Sequence, residues 1–304
     1  LSKRTWVSVK LKANSIGKNR KLVESRQSNL AKLLDEELEA YYWIGFLMAD
    51  GCINHETYRL HLTLAPKDEE HLIKFGQYVG FTGVIRYYEN GNCYNSTDNK
   101  KKYPVISLQN KEVVPKIIKK FDFKKNKTYN PPTEFKITGD KFISFLAGYI
   151  DGDGHIDNVL KRKTSIIAIK VHKSWLPILE WLDRNLYTYF NIDPFFTRKK
   201  GAHINNDGYA FVCWTDFRLL KKLKLKVLEL KLPILIRKWE NIDTNHISMY
   251  EKSEIRHNLI LKLLNEGKTA KEIIQFTGYT DGSVYQHILN IRNGVNDVYG
   301  KYTK

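Results

Sequence analysis

One helix-ending pattern occurs twice in this chain and constrains its fold more than any other feature. The first copy reads YYWIGFLMADGCI at residues 41–53, and the second reads FISFLAGYIDGDGHI at residues 142–156. In each copy an apolar run with small residues four positions apart ends in Asp-Gly. Aligned on that Asp-Gly, the equivalent pairs are Gly45 with Gly148, Ala49 with Gly152, and Asp50 with Asp153. The repeat predicts two similar halves, each built around one copy.

The small residues in each copy predict close packing between two helices. Positions i and i+4 share one face of a helix, and small side chains there let two backbones approach closely. Packed in this way, the helices bring Asp50 and Asp153 together at adjacent C-terminal ends, where helix dipoles and like charge are both unfavourable. A divalent cation between the carboxylates relieves both effects, and oxygen ligands of this kind suit Mg²⁺. The alternative is that each copy is an ordinary buried helix with a glycine C-cap.

The two copies also resemble a known motif. LAGYIDGDG at Leu146–Gly154 resembles the LAGLIDADG motif of homing endonucleases, and WIGFLMADG at Trp43–Gly51 is similar to a looser version of it. In that family the penultimate Asp of each motif is catalytic and binds metal at the active site. The resemblance therefore implies a metal-ligand set made of the carboxylates of Asp50 and Asp153 and the main-chain carbonyls of Ala49 and Gly152.

The resemblance bears on three further residues. In the family a lysine near the active centre follows the last strand of each half. The matching residues are Lys127, 77 residues after the first motif acid (127 − 50), and Lys231, 78 residues after the second (231 − 153). The resemblance implies that these catalytic lysines stabilise charge on the phosphate or organise water. The family's middle Asp is Asp151 in the second copy and is replaced by Met48 in the first, so we interpret Asp151 as structural or as a helix-end contact.

The composition limits the partners of this chain. A net charge of +17 over 304 residues predicts a polyanionic partner. The cysteines form no C-x-x-C pair, so neither a zinc site nor a disulfide framework is predicted. No apolar run is long enough to span a membrane, and no signal-peptide pattern occurs. We therefore expect an intracellular protein with no membrane partner, in the cytoplasm of a bacterium or phage-infected cell or in an organelle matrix.

Hydrophobic periodicity predicts the same order of elements, α-β-β-α-β-β-α, in each half. In the second half, two of the predicted strands lie at residues 194–200 and 209–214, around a loop at 201–208. The predicted fold class is α+β: a pseudo-twofold duplicated LAGLIDADG fold whose two antiparallel sheets form a saddle, plus a small all-α C-terminal module. The predicted domains are a basic N-terminal arm (1–34), a first half (35–130), a linker (131–139), a second half (140–248) and a C-terminal module (249–304).

Both sheets and both chain ends carry predicted DNA contacts. In the family the sheets lie over DNA, where alternate side chains of a strand ribbon can read base edges. The predicted readers are Arg59, His61, Thr63 and Arg86 in the first half and Lys170, His172, Arg198 and Lys199 in the second. The C-terminal module resembles a helix-turn-helix, with the alternative of a helical cap on the core. Its third helix offers Ser283, Tyr285, Gln286, Asn290 and Arg292 to a major groove. The basic arm is either a phosphate-contacting segment, the remnant of an upstream module or a solvated tail.

These patterns and the resemblance predict a DNA homing endonuclease that acts as a monomer. It would make a double-strand break in a long asymmetric target by Mg²⁺-dependent phosphodiester hydrolysis. Mn²⁺ is expected to substitute, and Ca²⁺ is expected to support binding without cleavage. A first alternative is a non-cleaving transcription regulator, since some regulators resemble a decayed LAGLIDADG domain followed by a helix-turn-helix. A second is an intron RNA maturase, because the same basic surface would suit RNA, although no separate motif supports RNA binding.

Overall fold

The computed structural model of the protein describes residues 28–89, 102–133, 135–157, 165–192, 201–245, 247 and 249–294. The first half contains α1 (Leu38–Ala49), β1 (Cys52–Asn54), β2 (Arg59–Thr63), α2 (Glu69–Tyr78), β3 (Arg86–Glu89), β4 (Lys102–Gln109) and α3 (Val113–Phe121). The second half contains α4 (Gly139–Asp153), β5 (Gly154–Ile156), β6 (Ile167–Val171), α5 (Leu176–Phe190), β7 (His203–Ile204), β8 (Ala210–Trp214) and α6 (Phe217–Glu229). The predicted α-β-β-α-β-β-α order and the duplicated α+β fold are confirmed.

Each half forms one four-stranded antiparallel sheet. The strand orders are β1-β2-β4-β3 and β5-β6-β8-β7, so the two sheets have the same topology. In β2, Leu60 and Leu62 are buried and lie opposite Leu108 and Ile106 of β4. The residues between them point to the other face, because successive side chains of a strand alternate. Each sheet therefore has one core face and one open face.

The small residues of the motif helices lie where α1 and α4 contact each other. A methyl group on Gly45 would overlap the carbonyl oxygen of Phe145, and one on Gly148 would overlap the carbonyl oxygen of Tyr42. The two backbones are thus in direct contact, which only glycine permits at these positions. The side chains around this contact, including Trp43 and Tyr149, are fully buried in one core shared by both halves.

The core extends into two segments that the sequence places outside it. Leu30 and Leu33, in a 3₁₀ helix at Leu30–Leu34, are buried, so the end of the predicted arm belongs to the folded core. Residues 1–27 of that arm lie outside the described residues. In the predicted linker, Phe135 and Ile137 are also buried, and the ring of Phe135 packs on Trp181. Each segment is too short for its leucine or aromatic residues to show a helical or strand periodicity.

The second hairpin of the second half differs from its predicted position. The segment predicted as the loop 201–208 contains β7, which pairs with β8 through His203 opposite Phe211. The chain reverses at residues 205–209, where the side chain of Asn205 accepts hydrogen bonds from the backbone N–H groups of Asp207 and Tyr209. This Asn turn and Gly208, at φ +78°, set the reversal. The predicted strand at 194–200 lies outside the described residues.

A smaller group of helices follows the two halves. It consists of α7 (Ile236–Trp239), which packs on the motif helices, and then α8 (Met249–Asn265), α9 (Ala270–Thr277) and α10 (Asp281–Arg292). The last three share a hydrophobic cluster of their own, centred on Ile260, Ile273 and Val284. Thr269 and Glu272 form a capping box at the start of α9, and Gly278 ends it at φ +68°. Among the described residues, no helix is both long and apolar enough to cross a membrane.

Candidate active site and nucleic-acid interface

The two motif acids lie side by side at the ends of the paired helices. Asp50 is the C-cap residue of α1, and Asp153 is the last residue of α4. A methyl group on Gly152 would lie 3.5 Å from the Asp50 Cγ, so one helix end directly adjoins the other. Solvent reaches both acids. The close approach at Gly45 and Gly148 is therefore what brings two carboxylates to one place on the surface.

The surroundings disfavour the charge of both acids. Burial against neighbouring protein atoms and the negative charge of Asp153 raise the pKa of Asp50 to about 6, although Lys238 and Lys127 oppose the shift. Burial likewise raises the pKa of Asp153, again opposed by Lys127 and Lys238. Two carboxylates that repel each other at adjoining helix ends favour a bound cation.

Each half places one lysine against the end of its own motif helix. The Nζ of Lys127 donates to the carbonyl oxygens of Met48 and Ala49. The Nζ of Lys238 donates to the second helix end, at 3.1 Å to Ile150, 2.6 Å to Asp151, 3.2 Å to Gly152 and 2.8 Å to Gly154. The last carbonyls of a helix lack partners within it, so the lysines satisfy them. Burial lowers the pKa of both lysines, while the nearby acids raise it.

The predicted role of Lys231 is corrected by this arrangement. Lys231 is exposed just beyond the end of α6 and has a left-handed backbone, at φ +52°. Lys238 takes the place expected for it, 85 residues after Asp153 (238 − 153) rather than 78. The match in spacing misled because lysine is frequent in this segment, so a lysine at the expected distance is not a specific signal. A signal for Lys238 was present in the sequence. The next residue, Trp239, is a large aromatic residue, and its burial holds Lys238 against the helix end.

We expect Lys238→Ala to destabilise the fold and Lys231→Ala to leave it nearly unchanged. Removing the ammonium leaves several partly buried carbonyls without a donor, which costs about 2 kcal/mol. An exposed lysine without such contacts contributes within about 0.5 kcal/mol. Urea unfolding of the two variants beside the wild type measures the difference. Equal losses in both variants would contradict the assignment of Lys238.

Asp151 joins the two halves through a buried hydrogen-bond network. Its carboxylate accepts from the hydroxyl of Tyr42 at 2.7 Å, the backbone N–H of Leu235 at 2.9 Å and the indole N–H of Trp239 at 2.8 Å. Because the Tyr42 hydroxyl donates to Asp151, it accepts in turn from the ring of His71, 2.9 Å away. Burial raises the pKa of Asp151 to about 6 in spite of these donors. The side chain is enclosed by the halves it connects, in agreement with a structural role.

The open face of the first sheet gathers the predicted readers of that half. Arg59, His61 and Thr63 point away from the core of β2, and Arg86 lies on the same face because both Thr63 and Arg86 pair with Val105. The guanidinium of Arg59 donates to the side-chain oxygen of Gln109 at 3.1 Å. This cross-strand contact holds the arginine over the sheet. The alternation also puts Asn54, Ser107 and Gln109 on this face, three residues that the sequence analysis did not name.

The second sheet carries fewer of its predicted readers on the open face. Lys170 lies on the open face, where its ammonium pairs with Asp207 at 2.7 Å and lies 4.8 Å from the centre of the Tyr209 ring. His172 comes after the end of β6, and its Nδ1 accepts from the backbone N–H of Ser174, so it is a turn cap rather than a strand reader. Arg198 and Lys199 lie outside the described residues. The register adds His155, His203 and Phe211 to the open face.

In the C-terminal module, the predicted readers divide into two groups. The exposed group on α10 comprises Tyr285, Gln286 and Arg292. Asn290 of the same helix is half-buried, and its side chain accepts a hydrogen bond of 3.0 Å from the amide of Gln286. Ser283 accepts a hydrogen bond of 2.8 Å from Arg256 of α8, so it fastens α10 to α8. Val284, His287 and Ile288 form the buried side of α10.

We expect the C-terminal module to lose stability in mild acid. The Nδ1 atoms of His257 and His287 lie 3.3 Å apart, and both rings are buried. Burial, followed by the charges of His257 and Arg256, lowers the pKa of His287 from its ordinary 6.5. The unfolded chain therefore binds a proton more readily, so stability is full above about pH 6.5 and is lost as the pH falls below it.

Hydrogen exchange of the α8 and α10 amides between about pH 8 and pH 5, corrected for intrinsic exchange, measures this effect. The variant His203→Gln, at a histidine outside the module, serves as the control and should retain the acid sensitivity. Protection of α8 and α10 that stays constant across this range would contradict the prediction.

The donor set around the acids fits a hard divalent cation. Within the described part of the chain, no group of three or more His, Cys, Asp or Glu side chains could hold a metal, so protein ligation here comes from two carboxylates. Mg²⁺ is commonly held by one or two carboxylates together with water and substrate phosphate. The carbonyls of Ala49 and Gly152, which are predicted as ligands, also accept hydrogen bonds from the lysines. The fit therefore depends on Asp50 and Asp153.

The motif helices, the two sheets and their order agree with the architecture that the resemblance to the LAGLIDADG motif predicts. No protein-family model and no curated protein matches the chain. Among solved structures, a mutant of I-SmaMI is similar at 12% identity, over 87% of this chain and 99% of that one, with a TM-score of 0.43. The LAGLIDADG homing endonuclease I-GzeII, in complex with its DNA target, is similar at 12% identity, over 77% and 95%, with a TM-score of 0.40. The N-terminal LAGLIDADG domain of DUF199/WhiA is similar at 16% identity, over 84% and 98%, with a TM-score of 0.38.

Proposed function

We propose that this protein binds a long asymmetric stretch of double-stranded DNA and hydrolyses one phosphodiester in each strand. The observation that supports the proposal most is the pair of crowded carboxylates, Asp50 and Asp153, each with a lysine at its helix end. The two open sheet faces, with Arg59 and Arg86 on one and Lys170 on the other, would bind the phosphates and base edges on either side. Because the two faces differ in sequence, the target would have no twofold symmetry.

The residues have separate tasks in this proposal. Asp50 and Asp153 would hold divalent metal, which supplies the activation of water and the stabilisation of the attacking and leaving oxygens. Lys127 and Lys238 neutralise the helix ends and keep positive charge beside the acids. Since both acids belong to one chain, we propose that the protein acts as a monomer. An intracellular setting remains a prediction from the sequence.

The test is incubation of the protein with a library of long duplexes that includes the intronless allele of its own locus. With Mg²⁺ or Mn²⁺ we expect a double-strand break at one site, and with Ca²⁺ we expect binding without a break. Tight binding to one duplex without cleavage in any metal would reject the nuclease and favour the regulator. Preference for the intron RNA over every duplex would favour the maturase.

A further inference from the structure

Two short 3₁₀ helices occupy the same place in the two halves. Pro66–Asp68 follows β2 and precedes α2, and Lys173–Trp175 follows β6 and precedes α5. Neither is part of a motif helix or of an open sheet face. Each one, however, makes hydrogen bonds to the segment of the opposite half that carries the helix-end lysine.

In one direction, the second half holds the loop of Lys127. The indole N–H of Trp175 lies 3.0 Å from the carbonyl oxygen of Lys127 and 3.1 Å from that of Thr128. The hydroxyl of Ser174 donates to the Thr128 carbonyl at 3.4 Å. Trp175 is 3% exposed, so these bonds are shielded from water. The ring of Tyr129, in the same loop, packs edge-on against His172 at 4.9 Å between centroids.

In the other direction, the first half holds the segment of Lys238. Both oxygens of the Asp68 carboxylate bind the guanidinium of Arg237, each at 2.6 Å. Arg237 directly precedes Lys238 on α7. The Asp68 side chain is only 11% exposed. A two-point ion pair that is partly withdrawn from water fixes orientation as well as distance.

We propose that Trp175 and Asp68 are reciprocal positioning residues. Each one fixes the position of the helix-end lysine in the opposite half. The proposal rests on the proposed function for its consequence, because the lysine of each cleavage site then depends on the other half. Trp175 acts on Lys127 through main-chain carbonyls, and Asp68 acts on Lys238 through Arg237. Neither residue is assigned to bind metal or DNA.

The first measurement needs neither metal nor DNA. The full chain is treated briefly with an amine-reactive reagent, and the labelling of each lysine is read by mass spectrometry. In Trp175→Phe, which keeps a smaller aromatic ring and removes the indole N–H, we expect labelling of Lys127 to rise about two- to tenfold, the range that one hydrogen bond supports. Labelling of Lys238 should stay constant. Asp68→Asn should produce the reverse pattern.

The matched control is Trp43→Phe. It also loses an indole hydrogen bond, the 3.1 Å bond from Trp43 to Glu39, which involves neither lysine. It should leave the labelling of Lys127 and Lys238 unchanged. Asp68→Glu keeps the carboxylate and should restore part of the Lys238 protection. If Trp175→Phe or Asp68→Asn unfolds, the smaller changes are Ser174→Ala, which removes the neighbouring hydrogen bond to the Lys127 loop, and Arg237→Lys, which removes the two-point pair with Asp68. Unchanged protection of both lysines in the folded variants would overturn the proposal.

The second measurement follows cleavage of each DNA strand separately. We expect Trp175→Phe and Asp68→Asn to lower kcat for opposite strands by about tenfold with little change in KM, so that nicked product accumulates. Equal slowing of both strands by both variants would overturn the reciprocal assignment. A wild-type protein that binds DNA but cuts neither strand would reject the proposed function, and the labelling experiment would still decide the positioning roles.

Discussion

We expect Asp50→Asn and Asp153→Asn each to lower double-strand cleavage strongly while binding of the target persists. Asparagine has nearly the shape of aspartate but no negative charge, so a metal held by the two acids would lose one of its protein carboxylates. Loss of a single group that stabilises transition-state charge lowers kcat by about 10²- to 10³-fold. The proposed binding of DNA through the open sheet faces would not involve either acid. Cleavage in Mg²⁺ and gel-shift binding in Ca²⁺ separate the two effects.

An exposed acid in a turn after α7, Asp243, gives the matched control. Asp243→Asn removes the same charge from the chain and should cut and bind as the wild type does. Thermal unfolding should show that all three variants are folded, because removing one of two crowded carboxylates relieves repulsion. Undiminished cutting by Asp50→Asn and Asp153→Asn would show that the two acids are not the metal site.

Gly148→Ala destabilises the protein far more than a surface change of the same size. The added methyl group overlaps the Tyr42 carbonyl, a backbone atom that can move only if α1 and α4 separate. Alanine alone would stabilise a helix by about 1 kcal/mol relative to glycine. Overpacking a tight core contact costs about 1–3 kcal/mol and more where backbone must shift. We therefore expect a net loss of about 3 kcal/mol in urea unfolding.

Gly282→Ala is the control for this experiment. Gly282 lies in the first turn of α10, and an added methyl group there meets no atom within 4 Å. The same substitution should leave stability unchanged or raise it by up to about 1 kcal/mol. Gly45→Ala should resemble Gly148→Ala, since the two glycines face each other's helix. Equal effects at Gly148 and Gly282 would contradict the backbone contact between the motif helices.

The fold could be read from the sequence because its main signals are local. Alternation in β2 and the small residues of the two motifs depend on neighbours within one element, and the structure places them as expected. The contacts that were missed join distant segments. Lys238 reaches carbonyls more than eighty residues earlier in the chain, and no spacing rule distinguishes it from Lys231. His172 fails as a strand reader because a turn begins one residue sooner than the apolar pattern suggests.

Asp151 makes the two halves no longer interchangeable. Aligned on the motifs, Asp151 corresponds to Met48 (151 − 48 = 103) and Tyr42 to Phe145 (145 − 42 = 103). A symmetric dimer built from two second halves would set each Asp151 against a phenylalanine, leaving a buried carboxylate without one of its donors. A dimer of two first halves would leave the tyrosine hydroxyl without its acceptor. A symmetric dimer of second halves would therefore need Phe145→Tyr to restore the donor. A symmetric dimer of first halves would need Met48→Asp to restore the acceptor.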